Sequence, residues 1–316
     1  MRSRDVVVVA LGGNALLRRG EKPDAVVQRH HVRDAARALA PLAGTRDLII
    51  CHGNGPQVGL LALESESDRS LTRPYPLDVL VAQTQGMIGY WLAQELRNAG
   101  VQQPVVPVVT QTVVHRDDPG FAQPTKFIGP TYTQAQAHEL ATTLGWSVAP
   151  DGASWRRVVA SPEPVGVVEE ASIRALVDNG AVVVCGGGGG VPVVENGGAL
   201  RGVDAVVDKD SVAALLAVLF DANRLLILTD VPALVRDFGT DSESPIATIT
   251  TRELAAMPLP DGSMGPKAAA CVRFTEESGR ASAIGSLADA AAVLAGRAGT
   301  TVTCTRSAVP ETASCA

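Results

Sequence analysis

Short runs of β-branched apolar residues that end at glycines constrain the fold of this chain more than any other feature. The first run, DVVVVAL over residues 5–11, is followed by GGNA, and a second run, DLIIC over residues 47–51, is followed by HGNGP. A short continuous apolar run is typical of a strand that is buried on both faces. We therefore expect both strands to lie inside a sheet that other elements cover on both sides.

Predicted helices alternate with further predicted strands along the chain. The predicted strands are 5–11, 47–51, 104–109, 181–185, 225–229 and 299–305, and the predicted helices are 24–43, 76–100, 209–223 and 286–296. Apolar strands that are separated by helices favour parallel pairing, because the helix returns the chain to the same end of the sheet. We therefore expect an α/β fold with an open, mostly parallel sheet.

Residues 115–157 interrupt this alternation. They contain four prolines, four glycines and two of the three tryptophans, with weak periodicity. We expect them to form a small subdomain or lid outside the sheet. Loops are predicted at 236–245 and 258–266, and a disordered tail is predicted at 307–316.

The composition argues against several classes of protein. With 316 residues, 46% of them hydrophobic, the chain can form one large or two medium domains. A net charge of −6 argues against a general nucleic-acid-binding protein. We expect neither a membrane span nor a signal peptide. Five cysteines without metal-site spacing indicate a reduced, cytoplasmic protein.

The two glycine turns are candidate anion-binding sites. A junction of strand, glycine turn and helix directs backbone N–H groups and the positive helix end at one point, which favours a phosphate or a carboxylate. A plain tight turn is the alternative for either junction taken alone. The candidate residues are Gly12, Gly13, Asn14, Gly53, Asn54 and Gly55.

The common nucleotide-binding motifs do not fit these turns. No glycine is followed by lysine, which excludes a P-loop, and the dinucleotide pattern G-x-G-x-x-G follows neither strand. The five glycines of residues 186–190 are a weak signal, because a flexible connection between two strands explains them equally well.

Lysine is rare in this chain, since only four of the 27 basic residues are lysines. Lys209 stands at a predicted helix start between Asp208 and Asp210. An anion-binding site is one interpretation, and the alternative is that Asp208 caps the helix while Lys209 is solvated. Lys267 lies in the first turn of another predicted helix, where the dipole disfavours a cation unless an anion binds there as well.

Lysines and amide-rich turns together indicate phosphoryl transfer, which needs positioning and neutralising cations rather than covalent help from the protein. Lys126, in the inserted segment, can reach over a ligand, whereas Lys22 has no comparable setting. Only His52 among the histidines lies in a motif, and no nucleophilic triad is suggested. The lack of an evident general base fits an acceptor that is already anionic, such as a carboxylate or carbamate.

Stretches around these residues resemble the carbamate kinase family of the amino acid kinase superfamily, in the family's order over nearly the whole chain. They are VVALGGNAL (8–16), HGNGPQVGLL (52–61), PLDVLVAQTQGMIGY (76–90), KFIGPTY (126–132), WRRVVASPEP (155–164), VVCGGGGGVPV (183–193), VDAVVDKDSVAALLA (203–217), LLILTDV (225–231) and GSMGPKAAA (262–270).

The resemblance implies an open eight-stranded sheet in an αβα sandwich. It implies a carbamate-binding lobe at 1–200, including the 115–157 subdomain, an ATP-binding lobe at 201–306, and a homodimer without nucleic-acid or membrane partners. The implied reaction is reversible phosphoryl transfer between ATP and carbamate, run toward ATP in arginine, agmatine or ureide catabolism. Magnesium would be held mainly by the nucleotide phosphates.

The resemblance also implies roles for individual residues. Residues 12–14 would cradle the transferring phosphoryl group, and residues 53–55 would hold the carbamate. The implied catalytic residues are Lys126, Lys209, Lys267 and Asp210. The implied nucleotide-binding residues are Asp208, Lys209, Thr229, Asp230, Met264 and Lys267. Phe127 departs from the proline that is usual in the family, and Thr131 departs from the usual aromatic residue.

Two alternatives remain open. One is another small-acid acyl-phosphate kinase of the same superfamily, and the other is a catalytically silent nucleotide-binding protein. The number of converging lysines argues against the second alternative, because nucleotide binding alone needs fewer cations.

Overall fold

A computed structural model describes residues 5–18, 20–260 and 262–304. The strands are β1 Val6–Leu11, β2 Asp47–His52, β3 Val105–Pro107, β4 Gln111–Val114, β5 Lys126–Tyr132, β6 Ser147–Asp151, β7 Ser154–Val159, β8 Pro164–Val167, β9 Val182–Val184, β10 Val191–Asn196, β11 Ala199–Gly202, β12 Arg224–Thr229, β13 Val235–Arg236, β14 Ser244–Pro245, β15 Thr248–Thr250, β16 Ser282–Ser286 and β17 Thr300–Thr303. The α-helices are α1 Ala25–Ala43, α2 Gly55–Ser67, α3 Leu77–Asn98, α4 Gln134–Leu144, α5 Glu170–Asp178, α6 Lys209–Leu219, α7 Thr251–Ala255, α8 Met264–Ser278 and α9 Ala290–Leu294.

An eight-stranded sheet forms the centre of the fold, in the order β15-β17-β16-β12-β1-β2-β9-β3. Every neighbouring pair in it is parallel except β16 and β17. Helices α5, α6 and α8 pack on one face, and α1, α3 and α9 pack on the other. The predicted αβα sandwich with a mostly parallel eight-stranded sheet is confirmed.

Strand β1 shows why this sheet needs helices on both faces. Val8 and Ala10 point into the core that contains α6 and α8, whereas Val7, Val9 and Leu11 point into the core that contains α1 and α3. All five side chains are almost completely buried. Burying an aliphatic side chain of this size contributes roughly 1.5–3 kcal/mol, so both helical layers stabilise the same strand.

The topology gathers the ends of three strands at one place. From β1 the chain continues to β2 on one side, and it later returns to β12 on the other side. Because these strands are parallel, the turn after β1, the turn after β2 and the residues after β12 lie at the same edge of the sheet. A reversal of strand order of this kind opens a crevice at the carboxyl ends of parallel strands.

The segment that was predicted as an insertion forms its own sheet, in the order β5-β7-β6, with α4 beside it. This sheet packs on α2 through a separate core that includes Val58, Ile128 and Val159. Gly59 of α2 and Gly129 of β5 are in such close contact that a Cβ on Gly59 would lie 2.0 Å from the Gly129 Cα. The three-stranded sheet and α2 are therefore packed as one unit.

The predicted lobes share the large sheet, because β1 pairs with both β2 and β12. We retain the division at 1–200 and 201–306, and the role of 115–157 as a lid, as proposals about ligand binding. Among the described residues no helix is both long and apolar enough to cross a membrane. The predicted tail at 307–316 lies outside the described residues.

Several predicted boundaries differ from the structure. The helix expected at 286–296 is instead a 3-10 turn, Leu287–Asp289, which the Ser286 side chain caps, followed by the five-residue α9. The predicted loop 236–245 overlaps the two short strands β13 and β14, and α8 begins inside the predicted loop 258–266. The expected strand 104–109 shortens to β3 at the sheet edge, where the missing N–H of Pro107 is tolerated.

Replacement of Gly59 tests the packing of the three-stranded sheet on α2. We expect Gly59→Ala to destabilise the protein by roughly 1–3 kcal/mol, because α2 and β5 must move apart to accommodate the methyl group. The matched control is Gly86→Ala in α3, where a Cβ meets nothing within 4 Å. That exchange should stabilise the helix by about 0.5–1 kcal/mol. Chemical denaturation measures both; equal effects would contradict the close contact.

Candidate active site

A cleft of about 1890 Å³ opens at the edge where the glycine turns meet. It is bordered by the eight-stranded sheet on one side and by the three-stranded sheet on the other. Most of the sequence-predicted site residues line it: Gly13, Gly53, Asn54, Gly55, Lys126, Asp208, Lys209, Asp210, Thr229, Asp230, Met264 and Lys267. The topology therefore brings residues from both predicted lobes to one cavity.

The glycine turns contribute close backbone packing as well as amides. The Gly12 N–H donates to the Leu228 carbonyl, and the Gly53 N–H donates to the Leu11 carbonyl. These two amides are therefore committed to the sheet, and Gly12 itself does not line the cleft. Asn14 lies in the 3-10 turn Gly13–Ala15 that follows. A Cβ at Gly53 would lie 3.3 Å from both the Gly13 Cα and the Lys209 Cδ, so the absence of a side chain brings all three together.

The start of α2 supplies unpaired backbone amides. Asn54 is the N-cap residue, but its side chain does not cap the helix. The N–H groups of Gly55 and Gln57 have no partner within the helix, because they belong to its first turn. The Asn54 amide nitrogen instead donates to the Thr84 hydroxyl of α3 at 2.9 Å. The helix start is thus available to an anionic ligand.

Lysines and carboxylates alternate along the floor of the cleft. The Lys209 Nζ lies 2.9 and 2.8 Å from the two Asp210 carboxylate oxygens, and the Lys267 Nζ lies 3.1 Å from Oδ2 of the same group. Lys126, the first residue of β5, forms an ion pair with Asp208. Three ammonium groups therefore surround two carboxylates, with one positive charge in excess.

Asp208 has two roles in this network. Its Oδ1 accepts from the Asp210 N–H at 2.7 Å and the Ser211 N–H at 3.2 Å, so it caps α6, while Oδ2 binds Lys126. The capping interpretation from the sequence is therefore correct. Its companion, a solvated Lys209, is wrong, because the Lys209 side chain is only 9% exposed.

The charges in the network stabilise one another. Burial disfavours the charged form of Asp208 and of Asp210, but the neighbouring lysines outweigh burial and hold the pKa of both carboxyls below the usual value. Burial disfavours the charged form of Lys209 too, yet Asp210 and Asp208 raise its pKa. Burial and the nearby Lys209 lower the pKa of Lys267. An incoming phosphate would favour the charged form of Lys267.

Comparison with known proteins assigns the chain to a family. The model of the amino acid kinase family matches residues 5–286. This chain belongs to the amino acid kinase family. A carbamate kinase of Rhizobium meliloti (strain 1021) is 46% identical over 94% of this chain and 92% of its own length. A carbamate kinase of Escherichia coli O6:H1 is 49% identical over 94% of this chain and 98% of its own length.

Solved structures agree with the sequence comparison. A carbamate kinase from Giardia lamblia bound to citric acid has a TM-score of 0.90 and 36% identity, covering 96% of this chain and 100% of that one. The same enzyme bound to AMP-PNP has a TM-score of 0.85, with the same identity and coverage. The resemblance drawn from the sequence motifs to this kinase family is confirmed.

The glycine run 186–190 of this amino acid kinase is buried throughout, so it is not a flexible connection. A Cβ at Gly187 would lie 2.3 Å from the His52 ring, and a Cβ at Gly188 would lie 2.1 Å from the Asn54 amide nitrogen. Gly188 has a φ of +65°, a left-handed conformation that glycine adopts without strain. Sequence reasoning missed this contact because nothing in the local pattern shows which loop packs against the run.

Other residues at the cleft were not singled out from the sequence as site residues. Glu163 lines it, and burial raises the pKa of its carboxyl. Phe127 also lines it, under the Arg156 guanidinium and against Gly262, where a Cβ would lie 3.0 Å from the ring. The position where this chain departs from the family's proline is therefore a contact between the three-stranded sheet and the loop before α8.

His52 makes the stability of the site depend on pH. Burial lowers the pKa of its imidazole to about 4, although the hydrogen bond to the Gly53 carbonyl at 2.9 Å favours the charged form. The unfolded chain binds this proton near pH 6.5, whereas the folded chain does not. Stability from this group is therefore present above pH 6.5 and is lost as the pH falls toward 4.

We expect acidification from pH 6.5 to 4 to remove on the order of 3 kcal/mol of folding free energy through His52. His52→Asn, which keeps an N–H donor near the Nδ1 position, should lose this part of the pH dependence. The same exchange at the exposed His30 should retain it. Urea unfolding at several pH values measures all three proteins, and an unchanged slope in the His52 variant would contradict the assignment.

Proposed function

We propose that this chain is a carbamate kinase, which reversibly transfers a phosphoryl group from ATP to carbamate to give ADP and carbamoyl phosphate. The observation that carries the proposal is the convergence of Lys126, Lys209 and Lys267 beside the glycine turns in one cleft. The similarity of nearly the whole chain to carbamate kinases supports carbamate as the acceptor of the phosphoryl group. The proposed direction in cells is toward ATP, in arginine, agmatine or ureide catabolism.

The chemistry needs no general base. In the forward direction a carbamate oxygen, already anionic, forms the new bond to the γ-phosphorus while the bond from that phosphorus to the β,γ-bridging oxygen breaks. The start of α2 and the turn at 53–55 hold the acceptor, and the turn at 12–14 lies beside the transferring group. Lys209 and Lys267 neutralise charge on the nucleotide phosphates, and Lys126 reaches the same charge from the three-stranded sheet.

Asp210 orients the two lysines at the nucleotide. Its carboxylate accepts hydrogen bonds from the Nζ atoms of both Lys209 and Lys267. Thr229 and Asp230 border the nucleotide at the end of β12, where the Thr229 hydroxyl donates to the Asp230 carboxylate at 3.0 Å. Met264 opens α8 on the same side of the cleft. The proposal assigns this side to the nucleotide.

Magnesium is proposed to enter with the nucleotide. Within residues 5–18, 20–260 and 262–304, no three His, Cys, Asp or Glu side chains are grouped to hold a metal ion. Asp208 and Asp210, the acidic residues closest to the lysines, are already ion-paired. This charge pattern supports a metal held mainly by the phosphates, where it would neutralise part of their charge.

A homodimer and a cytoplasmic location complete the proposal. The dimer rests on the family resemblance, and light scattering of the purified protein measures it. The location rests on the need for ADP and on the free thiols of Cys51, Cys185, Cys271 and Cys304.

The donor specificity tests the proposed reaction directly. With ADP and Mg²⁺, we expect ATP formation from carbamoyl phosphate and much slower formation from acetyl phosphate or acetylglutamyl phosphate. A coupled assay for ATP measures each donor. Faster turnover of a non-carbamoyl donor would favour another acyl-phosphate kinase of the family. Binding of ADP by calorimetry without turnover of any donor would favour a silent nucleotide-binding protein.

The lysines should differ sharply in their contribution to turnover. We expect Lys209→Ala and Lys126→Ala each to lower kcat by on the order of 10²-fold or more, because charge stabilisation in the transition state is lost. Lys22→Ala is the matched control, since Lys22 is exposed and does not line the cleft. A loss of similar size in the control would show that the effect is not specific to the cleft.

A further inference from the structure

We propose that Thr84 is a positioning residue for the acceptor. Its hydroxyl fixes the Asn54 side-chain amide so that the carbonyl oxygen Oδ1 faces the cleft and accepts an N–H from the carbamate. Thr84 lies in the stretch PLDVLVAQTQGMIGY, to which the proposed reaction gives no other role. The inference rests on the proposed function, because it explains how this site distinguishes carbamate from other small acids.

The hydrogen bonds leave one orientation for the Asn54 amide. The Thr84 hydroxyl donates its single proton to the Val81 carbonyl at 2.8 Å. It can therefore only accept from Asn54, so the group 2.9 Å away must be the amide nitrogen Nδ2. Because Asn54 lines the cleft and Thr84 holds one N–H of its amide nitrogen, Oδ1 is the side-chain acceptor left for a ligand.

The same hydrogen bond keeps Asn54 from capping its own helix. An asparagine at an N-cap position usually accepts from the amides of the first turn, which stabilises the helix. Asn54 makes no such bond, although it is the N-cap residue of α2. Thr84 thus preserves the first-turn amides for an anion, in addition to orienting Oδ1.

The Asn54 amide also packs against the glycine run 186–190. A Cβ on Gly188 would lie within 2.6 Å of Asn54 Cγ, Nδ2 and Oδ1 alike, so the whole amide rests on bare backbone. The run is itself anchored to α3: the Gly186 N–H donates to the Thr110 hydroxyl, and Gln85 exchanges two hydrogen bonds with the Thr110 backbone. Thr84 and Gln85 are adjacent on α3. Thr84 therefore fixes the Asn54 amide, and Gln85 fixes, through Thr110, the glycine run that packs against it.

The consequence is a preference for an N–H donor on the substrate. Carbamate and carbamoyl phosphate present an amino group where acetate and acetyl phosphate present a methyl group. An oriented carbonyl oxygen can accept from the amino group, whereas beside the methyl group it loses water without gaining a partner. Discrimination between the amino group and the methyl group depends on a single orientation of the Asn54 amide, and the hydrogen bond to Thr84 fixes that orientation.

The central test is a double-mutant cycle on purified protein, with carbamoyl phosphate and ADP as substrates. We expect Thr84→Val to lower kcat/KM for carbamoyl phosphate by about 3- to 10-fold, the equivalent of one neutral hydrogen bond, with an unchanged KM for ADP. Thr84→Ser keeps the hydroxyl and should therefore retain the original kcat/KM for carbamoyl phosphate. In an Asn54→Ala background, Thr84→Val should have no further effect, because its action passes through Asn54.

Two controls separate positioning from folding. Thr275→Val removes the hydroxyl of another fully buried helical threonine, which bonds Ser282 away from the cleft, and should leave kcat/KM unchanged. Thermal unfolding shows whether each variant folds. Acetyl phosphate serves as a competitor whose inhibition constant should not change in Thr84→Val.

Several outcomes would overturn the inference. They are full activity in Thr84→Val, additive effects in the Asn54→Ala background, failure of Thr84→Ser to rescue, and parallel weakening of acetyl phosphate and carbamoyl phosphate. An unmodified protein that does not use carbamoyl phosphate would instead overturn the proposed reaction. The two failures are therefore distinguishable.

Discussion

The rest of the site depends on the ion pairs that the buried Asp210 carboxylate forms with Lys209 and Lys267. A buried carboxylate remains charged only when cations and hydrogen bonds replace the water that it loses. The two lysines provide this, and in return Asp210 supports the charge of Lys209 in an environment that would otherwise neutralise it. The proposed site for nucleotide phosphates is thereby kept charged by its own ion pairs.

The sheet determines where that charge is placed. Because β1 lies between β2 and β12 with all three strands parallel, the turns at 12–14 and 53–55 meet the end of β12 at one edge. Glycine lets these turns approach Lys209 closely, at distances that a side chain at Gly53 would disturb. The three-stranded sheet then adds Lys126 from the opposite side, and its packing on α2 links that lysine to the helix that begins at the 53–55 turn.

Six of the eight strands of the large sheet and the lysines of the cleft could be predicted from the sequence, because apolar strand runs and glycine turns are local signals. The interpretation of residues 186–190 could not, since their burial depends on His52 and Asn54, which are distant in the chain. The environment of Lys209 was ambiguous for the same reason. Its immediate neighbours, Asp208 and Asp210, are compatible with an exposed helix start, and only the packing of α6 in the sandwich buries it.

The sequence by itself determined the alternation of buried strands and helices, the positions of the glycine turns and the small number of lysines, all of which follow from residue type and spacing. The tertiary structure alone decided which charges meet, which way the Asn54 amide faces and which backbone amides remain unpaired. Hydrogen bonds such as that between Asn54 and Thr84 join residues thirty positions apart. Their formation depends on how helices pack on the sheet, and no local pattern encodes that geometry.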